Sequence, residues 1–581
     1  MILLNQKHYF LKYQRLIIVI LACFLAILGR LCYLQLYQAK HLYRLSQNNF
    51  TRIQKLQPPR GNICDIHGNL LATNRPVKNI VWVGSGERKL TPQQIEILTQ
   101  ILHINGFEVT DELLKKVQMI ERGRHEFILF EDIPFNILSK IEEQFSGHSN
   151  IMIQNSFKRF YPYQKQACHL IGYLGTLDLG KTGKMGLEKI LEDELKGKSG
   201  ANQTTINSVG RKIDATEIEQ AVMSRDITTT IDMRLQTICE EKFDEENLGL
   251  RGSIIIMDPE TGAIQTLLSR PDFNPTTFLE PLTDQDWADL QTMKPFVNRA
   301  LSACYPPASL FKLITVATGL ELGLVTPDST INCQGHITFV DRKYHCNNRD
   351  GHGPLNIRHA IAKSCNILFY RLGQAVSIDV LAEYARKFGL GSKTGIVFQE
   401  ASGLIPDSAW KIKTKGERWW MGETLSASIG QSYLLVTPIQ VARYISSIFT
   451  GYLVQPRVLA DEPVIKTKLQ IRSETLEFLQ DSMRKVITSG TGVRINTIND
   501  LIVYAKSGTA QACALHADPD HHSSAVLEHA WFASHFSYKN QKPLTMIIMV
   551  ENVGSARVAI NIARKILNQY RLLMAKQLET N

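Results

Sequence analysis

An uncharged apolar segment near the N-terminus limits what this chain can fold into more than any other feature. Residues 16–29 carry no charged side chain, and the apolar character continues past Arg30 to residue 36. A helix that crosses a bilayer needs about 20 apolar residues. Residues 16–36 reach this length if the long side chain of Arg30 extends to the interface. The sequence therefore predicts a transmembrane anchor over residues 16–36.

The charges around this segment predict its orientation. Lys7, Lys12 and Arg15 precede it, and no acidic residue does, which is typical of a cytoplasmic tail over residues 1–15 and an exported body. A cleaved signal peptide and a lipoprotein signal at Cys23 are the alternatives. No small-residue cleavage site follows the segment, and apolar sequence continues beyond Cys23, so an uncleaved anchor is favoured.

Composition excludes some functions and leaves a globular body. Hydrophobic residues make up 44% of the chain and charged residues 21%, which is ordinary for folded domains. The net charge of +10 is spread along the chain without a basic stripe containing aromatic residues, so we expect no nucleic-acid partner. From residue 229 onward, a strand hairpin, a helical middle and further strands predict an α+β sheet with a helical lobe.

The first candidate catalytic motif is Ser309 followed three residues later by Lys312. Two prolines and an apolar helical stretch place Ser309 near a helix N-terminus, and positions i and i+3 share a helix face. A serine hydroxyl needs a nearby base to become a nucleophile, and a lysine supplies one when burial lowers its pKa. Alone, this pattern is more often a helix cap followed by a surface lysine.

Two further motifs follow in order. Ser364, Cys365 and Asn366 lie between two helical stretches, and Lys506, Ser507, Gly508 and Thr509 follow a predicted strand. Each has an ordinary explanation, as a polar helix junction or an edge-strand bulge. The order Ser-x-x-Lys, Ser-x-Asn, Lys-Ser-Gly-Thr is the signature of penicillin-binding proteins and serine β-lactamases. The three motifs together therefore predict an acyl-transferring serine enzyme.

Other segments extend this resemblance over nearly the whole chain. The sequence resembles a class B penicillin-binding protein of the elongation type. The supporting segments are residues 60–72, 159–162, 169–173, 186–188, 298–300, 428–431, 437–438 and 531–532. The resemblance implies a mixed pedestal domain, of the dimerisation type, over residues 37–225 and a transpeptidase domain over residues 226–575. It also implies a single-pass protein of the bacterial inner membrane with a periplasmic catalytic domain.

The resemblance assigns a role to each motif residue. Ser309 would be acylated by the penultimate D-alanine of a peptidoglycan stem peptide, and β-lactams would acylate the same serine. Lys312 would act as the base, Ser364 as a proton relay, and Asn366 as a holder of a substrate amide. Lys506 would tune the electric field in the active site. Ser507 and Thr509 would bind the substrate carboxylate beside Gly508. The backbone N–H groups of Ser309 and Thr509 would form the oxyanion hole.

Three positions depart from the family pattern. Ala308 stands where glycine is usual, Leu310 where threonine is frequent, and Ser432 where glycine is usual. None of these changes removes a catalytic group, but Ala308 bears on access to the nucleophile.

A candidate metal site lies between the first two motifs. Cys333, Cys346, His352 and Cys365 are a ligand set that suits tetrahedral zinc. A disulfide between Cys333 and Cys346 with a free Cys365 explains the same residues. Elongation-type relatives can carry zinc here, so the resemblance favours a structural zinc. Residues 513–529 also contain four histidines, for which an exposed polar loop is favoured over a metal site.

The resemblance also implies partners and leaves alternatives open. A SEDS-family glycosyltransferase and other proteins of the elongation complex are the expected partners. A division-specific transpeptidase, a β-lactam sensor or hydrolase, and a non-catalytic scaffold that activates the glycosyltransferase are the alternatives. The acceptor amine and the range of β-lactams bound are not predicted.

Overall fold

The chain begins with a long apolar helix. In the computed structural model, α1 (Ile2–Cys32) continues as a π-helix over Tyr33–Tyr37. The segment Lys12–Tyr37 has a mean hydropathy of 2.6, and none of it is buried against the rest of the protein. It contains the predicted span 16–36 and is long and apolar enough to cross a membrane. This N-terminal helix is consistent with a single-pass anchor.

The structure describes residues 2–43, 51–56, 58–123, 125–145, 148, 150–177, 180–206, 212–220, 222–246, 249–510 and 528–580. These residues form two compact units. The first comprises residues 1–60, 74–158 and 196–224, and the second comprises residues 61–73, 159–195 and 225–581. Two segments within the predicted pedestal range, 61–73 and 159–195, therefore pack with the second unit.

The first unit is a mixed α/β structure. Its core packs helices against strands, with Ile80, Trp82, Leu98, Ile101 and Val117 buried between them. β1, β8 and β9 pair antiparallel as a separate three-stranded sheet. The elements are β1 (Thr51–Leu56), β3 (Leu70–Val83, from Asn74 onward), α2 (Pro92–Ile104), α3 (Asp111–Gly123), β4 (Glu126–Phe130), α4 (Phe135–Phe145), β5 (Ile151–Phe160, up to Lys158), β8 (Gly200–Ile206) and β9 (Lys212–Glu219).

The polar composition of residues 201–228 predicts a connector, but the structure differs from this prediction. Strands β8 and β9 occupy half of this stretch. Their sequences are polar and show no alternation of apolar and polar residues, so the usual strand signal is missing. The β-branched Thr204, Thr205 and Ile206 are the signal that favours a strand here.

A buried ion pair connects three of the short segments noted in the sequence. In the second unit, Arg159 donates from Nε to Glu188 Oε1 at 2.7 Å and from Nη1 to the carbonyl of Gly61 at 2.7 Å. Both charged side chains are almost fully buried. A buried charge requires such partners, and a Cβ on Gly61 would lie 2.0 Å from the carbonyl oxygen of Arg225. These contacts explain why the arginine, glutamate and glycine occur together.

The second unit is built on a five-stranded antiparallel sheet. The strand order is β12-β11-β21-β20-β19. The strands are β11 (Gly252–Met257), β12 (Ile264–Arg270), β19 (Leu501–Ala510), β20 (His529–Tyr538) and β21 (Leu544–Val550). Ile254 and Ile256 belong to one hydrophobic cluster, and Ile255 and Met257 to another. The sheet is therefore buried on both faces, and β11 and β21 are nearly continuous apolar runs.

Helices cover both faces of this sheet, as the α+β prediction requires. α18 (Arg557–Thr580) and α8 (Met233–Asp244) pack on one face, and α16 (Pro438–Thr450) packs on the other beside the helical lobe. The other helices are α5 (Cys168–Ile171), α6 (Gly186–Ile190), α7 (Glu192–Lys196, up to Leu195), α9 (Asp284–Met293), α10 (Lys312–Glu321), α11 (Ile357–Ala362), α12 (Asn366–Ala375), α13 (Ile378–Lys387), α14 (Ser408–Lys415), α15 (Met421–Ser428) and α17 (Ser473–Ser489).

Short strands complete the second unit. Those near the motifs are β13 (Thr330–Cys333), β14 (His336–Phe339), β15 (Arg342–His345) and β16 (Gly353–Asn356), paired as β13 with β16 and β14 with β15. The remainder are β2 (Ile63–Cys64), β6 (Leu174–Leu177), β7 (Gly180–Gly183), β10 (Ile227–Thr228), β17 (Tyr452–Val454) and β18 (Lys466–Lys468).

Candidate active site

Ser309 lies in a short 3₁₀ turn that leads into α10. The turn spans Ala308–Leu310, and α10 begins at Lys312. The Ser309 side chain is half-buried, while the Lys312 side chain is fully buried. The sequence prediction of a serine near a helix N-terminus is confirmed. A partly open hydroxyl above a buried amine is an arrangement suited to a nucleophile and its base.

Ser364 joins the predicted nucleophile to the lysine. Its hydroxyl donates to Ser309 Oγ at 3.0 Å and accepts from Lys312 Nζ at 3.1 Å. Lys312 Nζ also donates to the carbonyl of Ser364 at 2.8 Å and to Asn366 Oδ1 at 2.7 Å. The hydrogen-bond path from the serine to the lysine therefore runs through Ser364. This geometry allows the proton relay that the resemblance assigned to that residue.

The third motif lies on β19, which continues through all four of its residues. Lys506 is fully buried, and its Nζ donates to Ser364 Oγ at 3.2 Å and to the carbonyl of Ser507 at 2.8 Å. A Cβ on Gly508 would lie 3.4 Å from the Cβ of Ala308 and 3.5 Å from the backbone nitrogen of Ser309. The strand therefore passes directly beside the nucleophile, as an oxyanion site shared by Ser309 and Thr509 requires.

Burial shapes the electrostatics of the two lysines. Desolvation lowers the pKa of Lys312 to about 7. Desolvation, followed by repulsion from Lys312, holds the pKa of Lys506 well below its usual value. Two ammonium groups that meet at one hydroxyl disfavour each other's charge. A lysine that is neutral near pH 7 can accept the proton of a serine.

A cleft with a volume of about 880 Å³ opens above these residues. Ser309, Ser364, Asn366, Ser507 and Thr509 all line it. The sequence analysis missed Thr491, whose hydroxyl lies 2.7 Å from Ser507 Oγ, because one threonine in a loop carries no local pattern. It also missed the cations that line the cleft, because they come from separate parts of the chain and share no motif. These further lining residues are Arg342, Lys343, Arg349 and Arg557.

The four predicted metal ligands lie together beside the second motif. The ligand atoms of Cys333, Cys346, His352 and Cys365 are all within 4.8 Å of one another. Cys333 Sγ and Cys346 Sγ each lie 3.5 Å from His352 Nδ1, and Cys346 Sγ lies 3.8 Å from Cys365 Sγ. Zinc–sulfur bonds of about 2.3 Å in a tetrahedron give S···S distances of about 3.8 Å. The cluster thus has the dimensions of a zinc site.

The same cluster is bonded to the catalytic motif. The backbone N–H of Asn366 donates to Cys346 Sγ at 3.4 Å. The hydrogen bond between the Cys346 and Cys365 side chains is the main cause that lowers the pKa of Cys346. Both Cys333 and Cys346 are free thiols. The histidines of residues 513–529 lie outside the described residues, except for His529.

Backbone geometry shows why glycine is the usual residue at two of the three positions where this chain departs from the family pattern. Ala308 has φ = +51° and Ser432 has φ = +71°. Residues with a Cβ rarely adopt this left-handed region, which glycine enters freely. These are the two positions where the family usually has glycine. The third departure, Leu310, is fully buried, and its carbonyl accepts from Tyr444 Oη at 3.2 Å.

Comparison with known proteins gives matches over nearly the whole chain. Residues 252–568 match the penicillin binding protein transpeptidase domain, and residues 55–229 match the penicillin-binding protein dimerisation domain. The peptidoglycan D,D-transpeptidase MrdA of Acinetobacter baumannii is 29% identical, with 96% of this chain and 87% of the relative aligned. MrdA of Escherichia coli K12 is 26% identical, with 94% and 92% aligned.

Solved structures agree with these matches. The penicillin-binding protein PBP2 of Helicobacter pylori, determined in complex with MreC, has a TM-score of 0.79 and 26% identity, covering 90% of this chain and 99% of that one. A component of a peptidoglycan synthase complex has a TM-score of 0.72 and 28% identity, covering 95% and 97%. The transpeptidase match alone covers more than half of the chain, which therefore belongs to the penicillin-binding protein family.

Proposed function

We propose that this chain is an elongation-type peptidoglycan D,D-transpeptidase that is acylated on Ser309. The observation that carries the proposal is the path from Ser309 Oγ through Ser364 Oγ to two buried lysines, in steps of 3.0 to 3.2 Å. The relatives named peptidoglycan D,D-transpeptidase MrdA support the reaction. The H. pylori PBP2, determined together with MreC, supports the elongation type.

Acylation follows from the geometry of the three motifs. Ser309 Oγ attacks the carbonyl carbon of the penultimate D-alanine as its proton moves through Ser364 to neutral Lys312. The backbone N–H groups of Ser309 and Thr509 stabilise the oxyanion, and each such donor is worth on the order of 3 kcal/mol in other enzymes. The C–N bond to the terminal D-alanine breaks, and its nitrogen takes a proton back through the same relay. The product is an acyl-serine.

Transfer repeats these steps in reverse. The amine of a neighbouring stem peptide attacks the acyl carbon, gives its proton to the relay, and releases Ser309 Oγ. Ser507 and Thr509 bind the carboxylate of the leaving D-alanine before it departs, with Thr491 fixing the Ser507 hydroxyl at 2.7 Å. Asn366 stays against Lys312 at 2.7 Å and presents its amide to the donor chain.

The reaction is tested with detergent-purified protein, a stem pentapeptide donor and an amine acceptor. We expect equimolar release of D-alanine and formation of a cross-linked peptide, and loss of both with Ser309→Ala. Hydrolysis of penicillin at a rate that exceeds peptide transfer would identify a β-lactam hydrolase instead. Full support of growth by Ser309→Ala would identify a scaffold.

We also propose that Cys333, Cys346, His352 and Cys365 hold a structural zinc ion. The S···N distances of 3.5 Å and the S···S distance of 3.8 Å support this. Four protein ligands fill a tetrahedral shell, so the ion would act by holding the ligands together. Because Cys365 lies between Ser364 and Asn366, the ion would fix the second motif against Lys312.

Metal analysis of the purified protein tests the zinc site directly. We expect one zinc per chain in the wild type and much less after Cys333→Ser. Cys64→Ser is the matched control because Cys64 is a free thiol outside the cluster. Wild-type protein that contains no zinc when purified without chelators would contradict the proposal.

The remaining proposals concern location and partners. We propose that α1 crosses the bacterial inner membrane and that the second unit works in the periplasm. The exposed apolar segment Lys12–Tyr37 and the basic residues before it support this. The structures of PBP2 with MreC and of a peptidoglycan synthase complex support elongation proteins and a SEDS-family glycosyltransferase as partners. Co-purification with either class of protein tests this proposal.

A further inference from the structure

The acceptor of the acyl group brings one proton more than the relay of the proposed mechanism handles. A primary amine on a peptide side chain has a pKa of about 10, so the acceptor reaches the cleft as an ammonium ion at neutral pH. The nitrogen must lose one proton before it can attack, and it loses a second one through Ser364 as Ser309 Oγ is released. The first proton goes either to solvent or to a base in the cleft that the mechanism does not yet name.

Glu528 is the one carboxylate among the described residues that line the cleft. It is half-buried, and within the part of the chain that the structure describes it forms no ion pair. Burial raises its pKa, which makes it a stronger base than an exposed glutamate. A carboxylate binds an ammonium group through charge-assisted hydrogen bonds. Glu528 is therefore chemically suited to receive the acceptor.

The position of Glu528 places it on the leaving-group side of the cleft. Ser507 and Thr509 lie two residues apart on β19, so their side chains share one face of the strand. Thr509 pairs with Ala530 of β20, and Glu528 lies two residues before Ala530. Because Ser507 and Thr509 receive the carboxylate of the leaving D-alanine, Glu528 borders the space that D-alanine vacates. The acceptor enters this same space, since transfer is the reverse of acylation.

Backbone hydrogen bonds fix Glu528 in this position. Its carbonyl accepts from the N–H of Val553 at 3.0 Å and from the N–H of Gly554 at 2.9 Å. Gly554 and the following Ser555 also line the cleft. The main chain that carries the carboxylate is thus bonded to the segment that forms this end of the cleft.

A histidine that also lines the cleft lies beside a different part of the substrate. His345 ends β15, and its carbonyl accepts from Asn366 Nδ2 at 3.0 Å. Asn366 is the residue proposed to hold the donor amide, so His345 lies beside the acyl part of the donor. Glu528 is therefore better placed than His345 to meet the acceptor nitrogen.

We propose that Glu528 binds the ammonium group of the acceptor and takes its first proton, so that the acyl-enzyme reacts with a peptide amine in preference to water. The ligand class is a peptide with a protonated primary amine. This inference rests on the proposed function, because it assumes an acyl-enzyme on Ser309. Water arrives uncharged and loses one proton to the relay, so hydrolysis does not need Glu528.

The step balances as follows. The acceptor ammonium gives one proton to the Glu528 carboxylate and becomes a neutral amine. The lone pair of the nitrogen forms the new C–N bond to the acyl carbon, and the bond from that carbon to Ser309 Oγ breaks. A second proton passes from the nitrogen through Ser364 to Ser309 Oγ. The new amide keeps the remaining hydrogen, and Glu528 passes its proton to water.

Two acceptors test this role on one acyl-enzyme. The full-length protein in detergent is given a stem pentapeptide donor together with either a peptide that has a free side-chain amine or hydroxylamine, which is uncharged at neutral pH. The ratio of transfer product to hydrolysis product is measured by mass spectrometry for the wild type, Glu528→Gln and Glu477→Gln. Glu477 is an exposed residue of α17 outside the cleft lining, so its variant makes the same charge change elsewhere.

We expect the ratio for the peptide amine to fall by about 100-fold in Glu528→Gln, as for the loss of an acid–base group. The ratio for hydroxylamine should stay unchanged in this variant, and both ratios should stay unchanged in Glu477→Gln. Since transfer and hydrolysis start from the same acyl-enzyme, the ratio does not depend on the rate of acylation. An unchanged ratio for the peptide amine in Glu528→Gln, or an equal fall for hydroxylamine, would overturn the inference.

A wild type that forms no acyl-enzyme with the donor would instead reject the proposed function. If Glu528→Gln does not fold, as judged by its melting transition, Glu528→Ser removes the carboxylate with a smaller side chain and repeats the comparison. The same outcomes for the two ratios then decide the inference.

Discussion

Ser364 is the residue at which the two buried lysines, Lys312 and Lys506, meet. Its hydroxyl is bonded to Ser309 Oγ, Lys312 Nζ and Lys506 Nζ, and its backbone has φ = +55°. The spacing of the motifs predicted which residues belong to the site. It did not predict that the path from Ser309 to Lys312 runs through Ser364, because periodicity places residues on a helix face and does not orient their side chains.

The titration of Lys312 predicts how acylation depends on pH. Burial lowers its pKa to about 7, so the ammonium form dominates below that pH and the base form above it. Only the neutral amine accepts the serine proton. We expect the rate constant for penicillin acylation to rise between about pH 6 and 8 with a midpoint near pH 7. Stopped-flow fluorescence with a labelled penicillin measures this rate constant. A rate constant that does not change between about pH 6 and 8 would contradict the assignment of Lys312 as the base.

The left-handed backbone at Ala308 predicts a gain in stability. A side chain at φ = +51° costs about 1 kcal/mol or more, which exceeds the entropy that glycine adds to the unfolded chain. We expect Ala308→Gly to raise the melting temperature by about 1–3 °C. Ala317→Gly, inside α10, is the matched control and should lower it. A decrease of similar size in both variants would show that Ala308 is not strained.

At the scale of elements, the strands and helices that carry motifs were well predicted. β11 and β21 begin and end where the apolar runs do, because a strand buried on both faces consists of apolar residues throughout. β19 extends beyond the predicted strand, since the polar residues from Lys506 to Thr509 pair with β20 as regularly as the apolar ones before them. Polar strands such as β8 and β9 were missed because they carry no apolar alternation.

The four candidate metal ligands lie beside the second catalytic motif, so we expect metal binding and catalysis to be linked. Cys346→Ser removes one ligand of the proposed zinc ion and the acceptor of the Asn366 N–H. We expect the free energy of unfolding to fall by about 3 kcal/mol or more, together with a slower acylation by penicillin. Thermal unfolding and acylation kinetics measure the two effects, with Cys64→Ser as the control. Unchanged melting and acylation in Cys346→Ser would rule out a structural metal.

At the scale of the whole molecule, the order of the three motifs predicted the family and fold class, which composition alone did not. Three short patterns in sequence order, with the segments around them, identified the family and the α+β class that the domain matches then showed. The sequence predicted two domains, but it did not predict that residues 61–73 and 159–195 join the second unit, through long-range contacts such as those of Asn62 with Asp226 and of His169 with the carbonyl of Pro295. Such pairings between distant segments leave no local pattern.

Labelling with a fluorescent penicillin tests the central claim most directly. Detergent-purified wild-type protein and Ser309→Ala are incubated with the probe, denatured, and examined by gel fluorescence and peptide mass spectrometry. We expect a stable covalent adduct on the peptide that contains Ser309 in the wild type, and no adduct in the variant. A folded wild-type protein that does not label, or an adduct that persists in Ser309→Ala, would contradict Ser309 as the acylated nucleophile.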